Sequence, residues 1–453
     1  MTIWPQLRSS RIVRAGRADG RVLRLGIMDT MLADLSVSVV LCFEGALDED
    51  RLAAGLALAL DRAPVFGGRL RTVRQAGAER LEAHCDDSGV PLEVYTVDGT
   101  LAEAIGRVTA AGTDLVDPVD ARAARTGGAP LFTVRITRTA DGGTLLGCSW
   151  HHAVGDLSSF VLLLRIWSAA VEGEPLPEAE LVDDQDALLN AVLPAEDCGR
   201  PGFRVPSPGQ AELLAREVAV GPRANRTVQI AFGDAEIARM REEFGAVAGR
   251  RLSAGDVLCA HLVSTLRDLD GDRAERMLTV PVNVRRWLGL SPDLLGNLLS
   301  EVHLPQRPAD GPAVLAAELR TAVEEFPTAH LNLRANLGFL AALGPGRLAE
   351  CVPLGFDPQA RRFSFSNWSG FGVYRVSFQG QRPVFFSPAA NYPIPWVCWT
   401  VEGYRGEGFL STVVLPARLA ARVRGADGRA ALHRFRTATD PLPGSAALLP
   451  KAV

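Results

Sequence analysis

Residues Gly127–Phe160 read GGAPLFTVRITRTADGGTLLGCSWHHAVGDLSSF, and the fold of the chain is decided there. Two apolar runs, LFTVRITRT and TLLGCSW, flank Ala140-Asp141-Gly142-Gly143. Asp-Gly and Gly-Gly supply the positive φ angles of a tight hairpin turn, so the runs read as antiparallel strands. The second strand leads into His151-His152-Ala153-Val154-Gly155-Asp156, after which Ser158–Val171, a Ser-Ser pair ahead of an apolar stretch, reads as a helix. Two histidines thus stand at the exit of a strand.

On the N-terminal side, Leu35–Gly45 (LSVSVVLCFEG) reads as a strand, and Asp48–Asp61 as a helix with Leu52, Leu56 and Leu60 on one face. Pro64–Arg71 returns to extended chain after a turn. From Glu172 to about Arg226 the pattern weakens into stretches rich in Pro, Gly and acid, which predicts an interdomain crossover. Beyond it Val228–Phe232 is a strand and Asp234–Phe244 a helix. Leu252–Leu269 is a strongly periodic helix with Ser253 as N-cap and Asp256 at the third position. Met277–Val284 is a buried strand, Pro312–Glu325 a helix and Phe363–Phe386 a set of strands. Strands and helices alternate in both halves, which is an α/β pattern without a short repeat. The expected division is residues 1–180, a linker at 181–225, and residues 226–453.

A chain of 453 residues exceeds one ordinary core and suggests two to three domains. With 47% apolar and 22% charged residues it is globular rather than disordered or fibrous. The formal charge of −4, its positive part almost wholly arginine, sets up no field for nucleic acid or an anionic membrane. The seven cysteines, Cys42, Cys85, Cys148, Cys198, Cys259, Cys351 and Cys398, are odd in number and widely spaced, with no CxxC pair. No His stands at metal-ligand spacing from them. That predicts no metal site and a reducing, cytoplasmic setting. Neither a basic and apolar leader nor an apolar run of about 18 residues is present, so no membrane segment is expected.

His152 and Asp156 form H-x-x-x-D, a spacing that chance supplies about once in three such chains. Its neighbours give it meaning. Gly127–Phe160 resembles, over its whole length, the strand-turn-strand and active-site segment of the BAHD acyltransferases, the acyl-CoA-dependent family marked by HxxxD near mid-chain and DFGWG near the C-terminus. Leu25–Gly45 with Leu56–Leu70 looks like the family's first strand, helix and Pro-x-x-Gly-Arg turn. Leu252–Leu262 (LSAGDVLCAHL) looks like its donor-side helix, and Pro281–Leu299 (PVNVRRWLGLSPDLLGNLL) like its Arg-bearing strand with a following Gly-Asn. Tyr374–Phe386 (YRVSFQGQRPVFF) falls where the family carries DFGWGKP. It keeps Phe378 and Pro383 but has Ser377 for Asp, Gln379 and Gly380 beyond, and no Trp; Leu157 replaces a Gly often found after the motif Asp. These departures and the doubled histidine point to a bacterial or fungal branch, above all a bacterial one, or to the wider superfamily shared with peptide-synthetase condensation domains (HHxxxDG).

A thioester carbonyl is already activated. What it lacks is a deprotonated acceptor and a stabilised oxyanion. Histidine, with an ordinary pKa of about 6.5, is mostly neutral at about pH 7 and can take the acceptor's proton; His152 is assigned that role, and His151 a packing role. The resemblance implies two chloramphenicol-acetyltransferase-like domains, each a mixed β-sheet flanked by helices, with His152 in a tunnel between them. It further implies that Asp156 turns away to pair with Arg285, that Ser366 and Trp368 line the reaction centre, and that residues near 360–385 cross back to the first half. Arg250 and Arg251, ahead of the Ser253 cap, are candidates for the phosphates of an acyl-CoA co-substrate. The expected activity is acyl transfer to a hydroxyl or amine of a small molecule by a monomer, with no bound cofactor or metal. The alternatives are a condensation-type enzyme fed by an acyl carrier protein, and a non-catalytic member that binds a small molecule or partner.

Overall fold

The computed structural model describes residues 5–75, 78–110, 114–195, 199–357, 359, 361–389, 394–441 and 444. Its strands begin with β1 (Gln6–Val13), β2 (Val22–Arg24), β3 (Ser36–Phe43), β4 (Arg69–Gln75), β5 (Ala78–His84), β6 (Val90–Thr96), β7 (Phe132–Arg138) and β8 (Thr144–His151). They continue with β9 (Phe203–Arg204), β10 (Asn225–Phe232), β11 (Arg276–Asn283), β12 (Leu299–Gln306), β13 (Val352–Pro353), β14 (Arg362–Asn367), β15 (Phe385–Pro388), β16 (Val397–Glu402) and β17 (Phe409–Pro416). Two six-stranded mixed sheets organise the chain, in the orders β1-β6-β7-β8-β3-β15 and β10-β17-β16-β14-β11-β12. A separate hydrophobic cluster is built on each.

The hairpin pairs β7 with β8, from Phe132 opposite Trp150 to Arg138 opposite Thr144. Every residue of β8 is buried. A central strand covered on both faces is encoded by a continuous apolar run, which is how TLLGCSW reads. At the sheet edge β1 is polar and mostly exposed, which blunts edge-to-edge pairing. The helix after the histidines spans Leu157–Glu172, and its N-cap is Asp156 rather than a serine: the carboxylate accepts the Ser159 N–H at 3.0 Å. The indole of Trp150 stacks on Phe160 at 4.3 Å. Against this helix lies Glu49–Arg62, capped by Asp48. The two approach over Gly55, where an added Cβ would sit 2.4 Å from the Val171 side chain, so only glycine permits the approach.

Helices Asp234–Ala248, Ala254–Asp270 and Pro312–Glu324 pack together in the second half. The second of these opens on a capping box: Ser253 Oγ accepts the Asp256 N–H and Asp256 accepts the Ser253 N–H. The crossover holds more structure than its composition suggests, including helices Gln185–Val192 and Pro208–Ala224. The latter starts on a capping box of Ser207 and Gln210 with Pro at its first position. Its apolar side chains Leu213 and Val220 are about half exposed, so no buried stripe marks it in the sequence.

The second half returns to the first late. β14 pairs with β11 and β16 in the second sheet, whereas β15 pairs antiparallel with β3 in the first. Between them Phe378 is fully buried against Trp167 and Phe43. Ser377 Oγ donates to Glu172 at 3.0 Å, so the end of the Leu157–Glu172 helix holds the segment that lacks the motif aspartate. Among the described residues no helix is long and apolar enough to cross a membrane.

Candidate active site

Where the two sheets meet, a cavity of about 240 Å³ is lined by His152 and by residues of both halves. His151 and His152, adjacent in sequence, face different surroundings. His151 is fully buried; its Nε2 lies 3.1 Å from the Ala33 carbonyl and its Nδ1 accepts the Ala153 N–H. An Nε2–H donor and an Nδ1 acceptor are the pattern of a neutral imidazole, and burial pushes its pKa down to about 4. It anchors the turn.

His152 is half-buried, opens a short 3₁₀ turn and lines the cavity. Its Nδ1 lies 3.2 Å from Asn297 Oδ1. The amide of Asn297 is oriented by its other contacts: Nδ2 donates to the His152 carbonyl at 2.7 Å and to Asp29 Oδ1 at 3.0 Å. Oδ1 must therefore accept, which puts the ring proton on Nδ1 and leaves the lone pair on Nε2. Among the described residues Nε2 has no hydrogen-bond partner. Burial lowers the His152 pKa below its ordinary value, so the ring is neutral at about pH 7.

Asp29 is fully buried, accepts the Gly26 N–H at 2.7 Å, and is pushed by desolvation up to about 7. Asp29 and Asn297, 268 residues apart, were not among the residues singled out from sequence as site members. The Gly296-Asn297 dipeptide was the only trace. Gly296 sits at φ 130°, open to glycine alone, and its carbonyl accepts from Arg285 at 2.9 Å and Ser159 Oγ at 3.0 Å.

Asp156 makes no hydrogen bond to His152 among the described residues. Arg285 Nη1 donates to Asp156 Oδ2 at 2.7 Å and Nη2 to Oδ1 at 3.2 Å, a bidentate pair with both side chains almost wholly buried. Asp156 Oδ2 also accepts the Leu298 N–H, and Arg285 Nε donates to the Leu294 carbonyl. The pair thus bolts the helix after His152 to the loop that carries Asn297. Ser366 and Trp368 both line the cavity. They are coupled rather than two separate donors: the indole Nε1–H donates to Ser366 Oγ at 2.9 Å, and the serine's own hydroxyl proton has no acceptor among the described residues.

The proposed donor residues divide. Arg250 is committed to Thr321 at 2.8 Å and Glu324 at 2.6 Å on a neighbouring helix, and it does not line the cavity. Its expected freedom to meet a phosphate is corrected accordingly. Arg251 is exposed and makes no polar contact among the described residues. The Ser253 hydroxyl is used in its capping box, where Asp256 already places a negative charge on the helix N-terminus. That first turn lies near the cavity, since a Cβ on Gly255 would meet Nδ2 of Asn367, one of the lining residues, at 2.8 Å.

A family model described as the Transferase family matches residues 6–393. This chain belongs to the Transferase family. It is an acyl-CoA-dependent acyltransferase, as the motif-bearing segments imply. The transferase is 26% identical over 401 residues to tryptamine hydroxycinnamoyltransferase 2 of Oryza sativa subsp. japonica, covering 84% of this chain and 87% of that protein. It superposes on vinorine synthase with TM-score 0.68 at 16% identity, over 92% of this chain and 96% of that one. On F. graminearum TRI101, solved with coenzyme A and T-2 mycotoxin, the TM-score is 0.72 at 13% identity, over 90% and 98%. Both structures share its two-domain α/β fold. The sequence relative is a plant protein and lends no support to a bacterial branch, and none of the three supports a carrier-protein partner.

Proposed function

We propose that this transferase moves an acyl group from acyl-CoA to a hydroxyl or amine of a small-molecule acceptor, with His152 as general base. One observation carries the reading: a neutral imidazole at the cavity wall whose Nδ1 is tied to Asn297 and whose Nε2 has no hydrogen-bond partner among the described residues. In a ternary complex His152 Nε2 removes the acceptor's proton as its oxygen or nitrogen attacks the thioester carbonyl. The resulting oxyanion is met by the Ser366 hydroxyl, polarised from behind by the Trp368 N–H. As the tetrahedral species collapses, the C–S bond breaks and the imidazolium returns its proton to the departing thiolate. The Asp156–Arg285 pair holds the frame and carries no proton.

Two features support a small-molecule acceptor. The cavity is largely apolar, with Met28, Met31, Leu32 and Phe203 among its walls, and the rice relative is named for tryptamine, an amine, as acceptor. The test is release of free CoA thiol across acyl-CoA donors and panels of alcohols and amines, with His152→Ala alongside. General-base catalysis is worth about 10²–10⁴. The variant should lose turnover by that factor while its circular dichroism matches the parent, and a variant that keeps nearly full activity overturns the assignment.

A further inference from the structure

The cavity has a charged wall that acyl transfer does not use. Among its described lining residues the only charged side chains are Asp156, consumed by Arg285, and Glu301; none of them is Arg or Lys. Glu301 lies on the edge strand β12, whose burial alternates residue by residue, setting Leu299, Glu301 and His303 on one face. The register carries that face across the sheet: Glu301 stands opposite Pro281 and His303 opposite Thr279, and Thr279 lies beside Ser364 of β14. The carboxylate reaches toward that row, because a Cβ on Gly355 would meet Glu301 Oε1 at 3.1 Å and Ser364 Oγ at 3.3 Å. Ser366 lies two residues further along β14, about 7 Å away at ordinary strand rise.

No cation pairs with Glu301 among the described residues. Its one ion-pair contact is His303 Nε2 at 3.5 Å, and burial pushes that imidazole down to about 4, so it is neutral. The guanidinium of Arg362, whose charge acts on Glu301 without a direct ion pair, spends its Nη1 on His303 Nδ1 at 3.0 Å and Thr279 Oγ1 at 3.2 Å. A carboxylate confined without an ion-paired counter-charge is costly: desolvation, only partly offset by the charge of Arg362, raises Glu301 to about 7. A ligand that brings its own positive charge removes that cost.

We propose that Glu301 anchors a cationic nitrogen of the acceptor at a point roughly one strand repeat from the reacting atom, so that the preferred acceptors are amines or amino alcohols carrying a second, positively charged nitrogen. The proposal rests on the acyl-transfer reading and names the acceptor class of that same cavity. It makes Glu301 a specificity residue: it holds one end of the acceptor while the other meets His152.

The test measures KM for three acceptors matched in length, cadaverine, aminopentanol and pentylamine, with the parent, Glu301→Gln and Glu301→Asp. The parent should favour cadaverine. Glu301→Gln should raise the KM of cadaverine relative to that of pentylamine by about 10- to 100-fold, the worth of a hydrogen bond to a charged group, and Glu301→Asp should recover part of the loss. A parent that treats cadaverine and pentylamine alike overturns the proposal. So does a Gln variant that shifts both equally, or one that leaves unchanged the KM for O-acylation of aminopentanol, whose ammonium would then have to sit on Glu301. If no acceptor is turned over with any acyl-CoA, the acyl-transfer reading fails. Calorimetric binding of cadaverine to parent and Glu301→Gln then decides the anchor alone: a Kd weakened about 10- to 100-fold upholds it, and equal Kd values reject it.

Discussion

Replacing Asp156 by Asn separates a structural carboxylate from a catalytic one. Asn still caps the Leu157–Glu172 helix, because its Oδ1 can accept the Ser159 N–H now held at 3.0 Å. What is lost is the charge opposite Arg285, a guanidinium only 3% exposed that keeps just the Leu294 and Gly296 carbonyls and the side chains of Ser159 and Asn283. Stripping one partner from a buried pair costs about 3–5 kcal/mol. At about 2–4 °C per kcal/mol for a domain of this size, the melting temperature should fall by roughly 6–20 °C. Turnover per folded molecule should fall far less. If Asp156 oriented the base as in a serine-protease triad, the amide would cost about 10⁴ in kcat; with no Asp156–His152 hydrogen bond, about tenfold or less is expected. The Asp156 charge raises the His152 pKa, so removing it should move the acid limb of the pH–rate profile to lower pH. The assays are a thermal melt and CoA-thiol release below the variant's melting temperature. A variant that melts with the parent and loses about 10³-fold or more in kcat refutes the structural account.

Asn297→Ala frees the His152 ring and strands a buried Asp29 oxygen. It should lower kcat about 5- to 100-fold, the cost of an unmade buried hydrogen bond, with a smaller change in the KM for acyl-CoA, as steady-state kinetics would show. Ser366→Ala should reduce kcat by about 10²–10³ as the loss of an oxyanion donor, whereas Trp368→Phe, acting through Ser366, should cost only about tenfold or less. Arg251→Ala should raise the KM for acyl-CoA several-fold and most strongly at low salt, while Arg250→Ala, already paired with Glu324, should leave that KM within about twofold.

Features encoded by neighbouring residues were legible in the sequence. The Asp-Gly and Gly-Gly turn signals place the β7–β8 hairpin, and Asp48 and Ser253 cap helices that begin within two residues of their expected starts. The Pro208–Ala224 helix was missed because its signature is a capping box without an apolar stripe. Arg250 shows the limit on the charged surface: two arginines ahead of a helix look equivalent until one meets Glu324, 74 residues on. The same holds at the site itself. His152 is found by motif, but the groups that set its tautomer and furnish the unused carboxylate, Asp29, Asn297 and Glu301, come from segments that only the folded sheets bring together. Long-range pairing leaves no period in the chain to read.

The central claim concerns the protonation of one ring, and the profile of kcat/KM against pH reports it in the free enzyme. With an uncharged alcohol as acceptor, which makes no demand on the Glu301 carboxylate, activity should fall as acid protonates His152, in a single limb whose midpoint lies below the ordinary histidine value because burial disfavours the charged form. The residual activity of His152→Ala should lack that limb. A midpoint at or above about 6.5, or the same limb persisting in the variant, would place the base elsewhere.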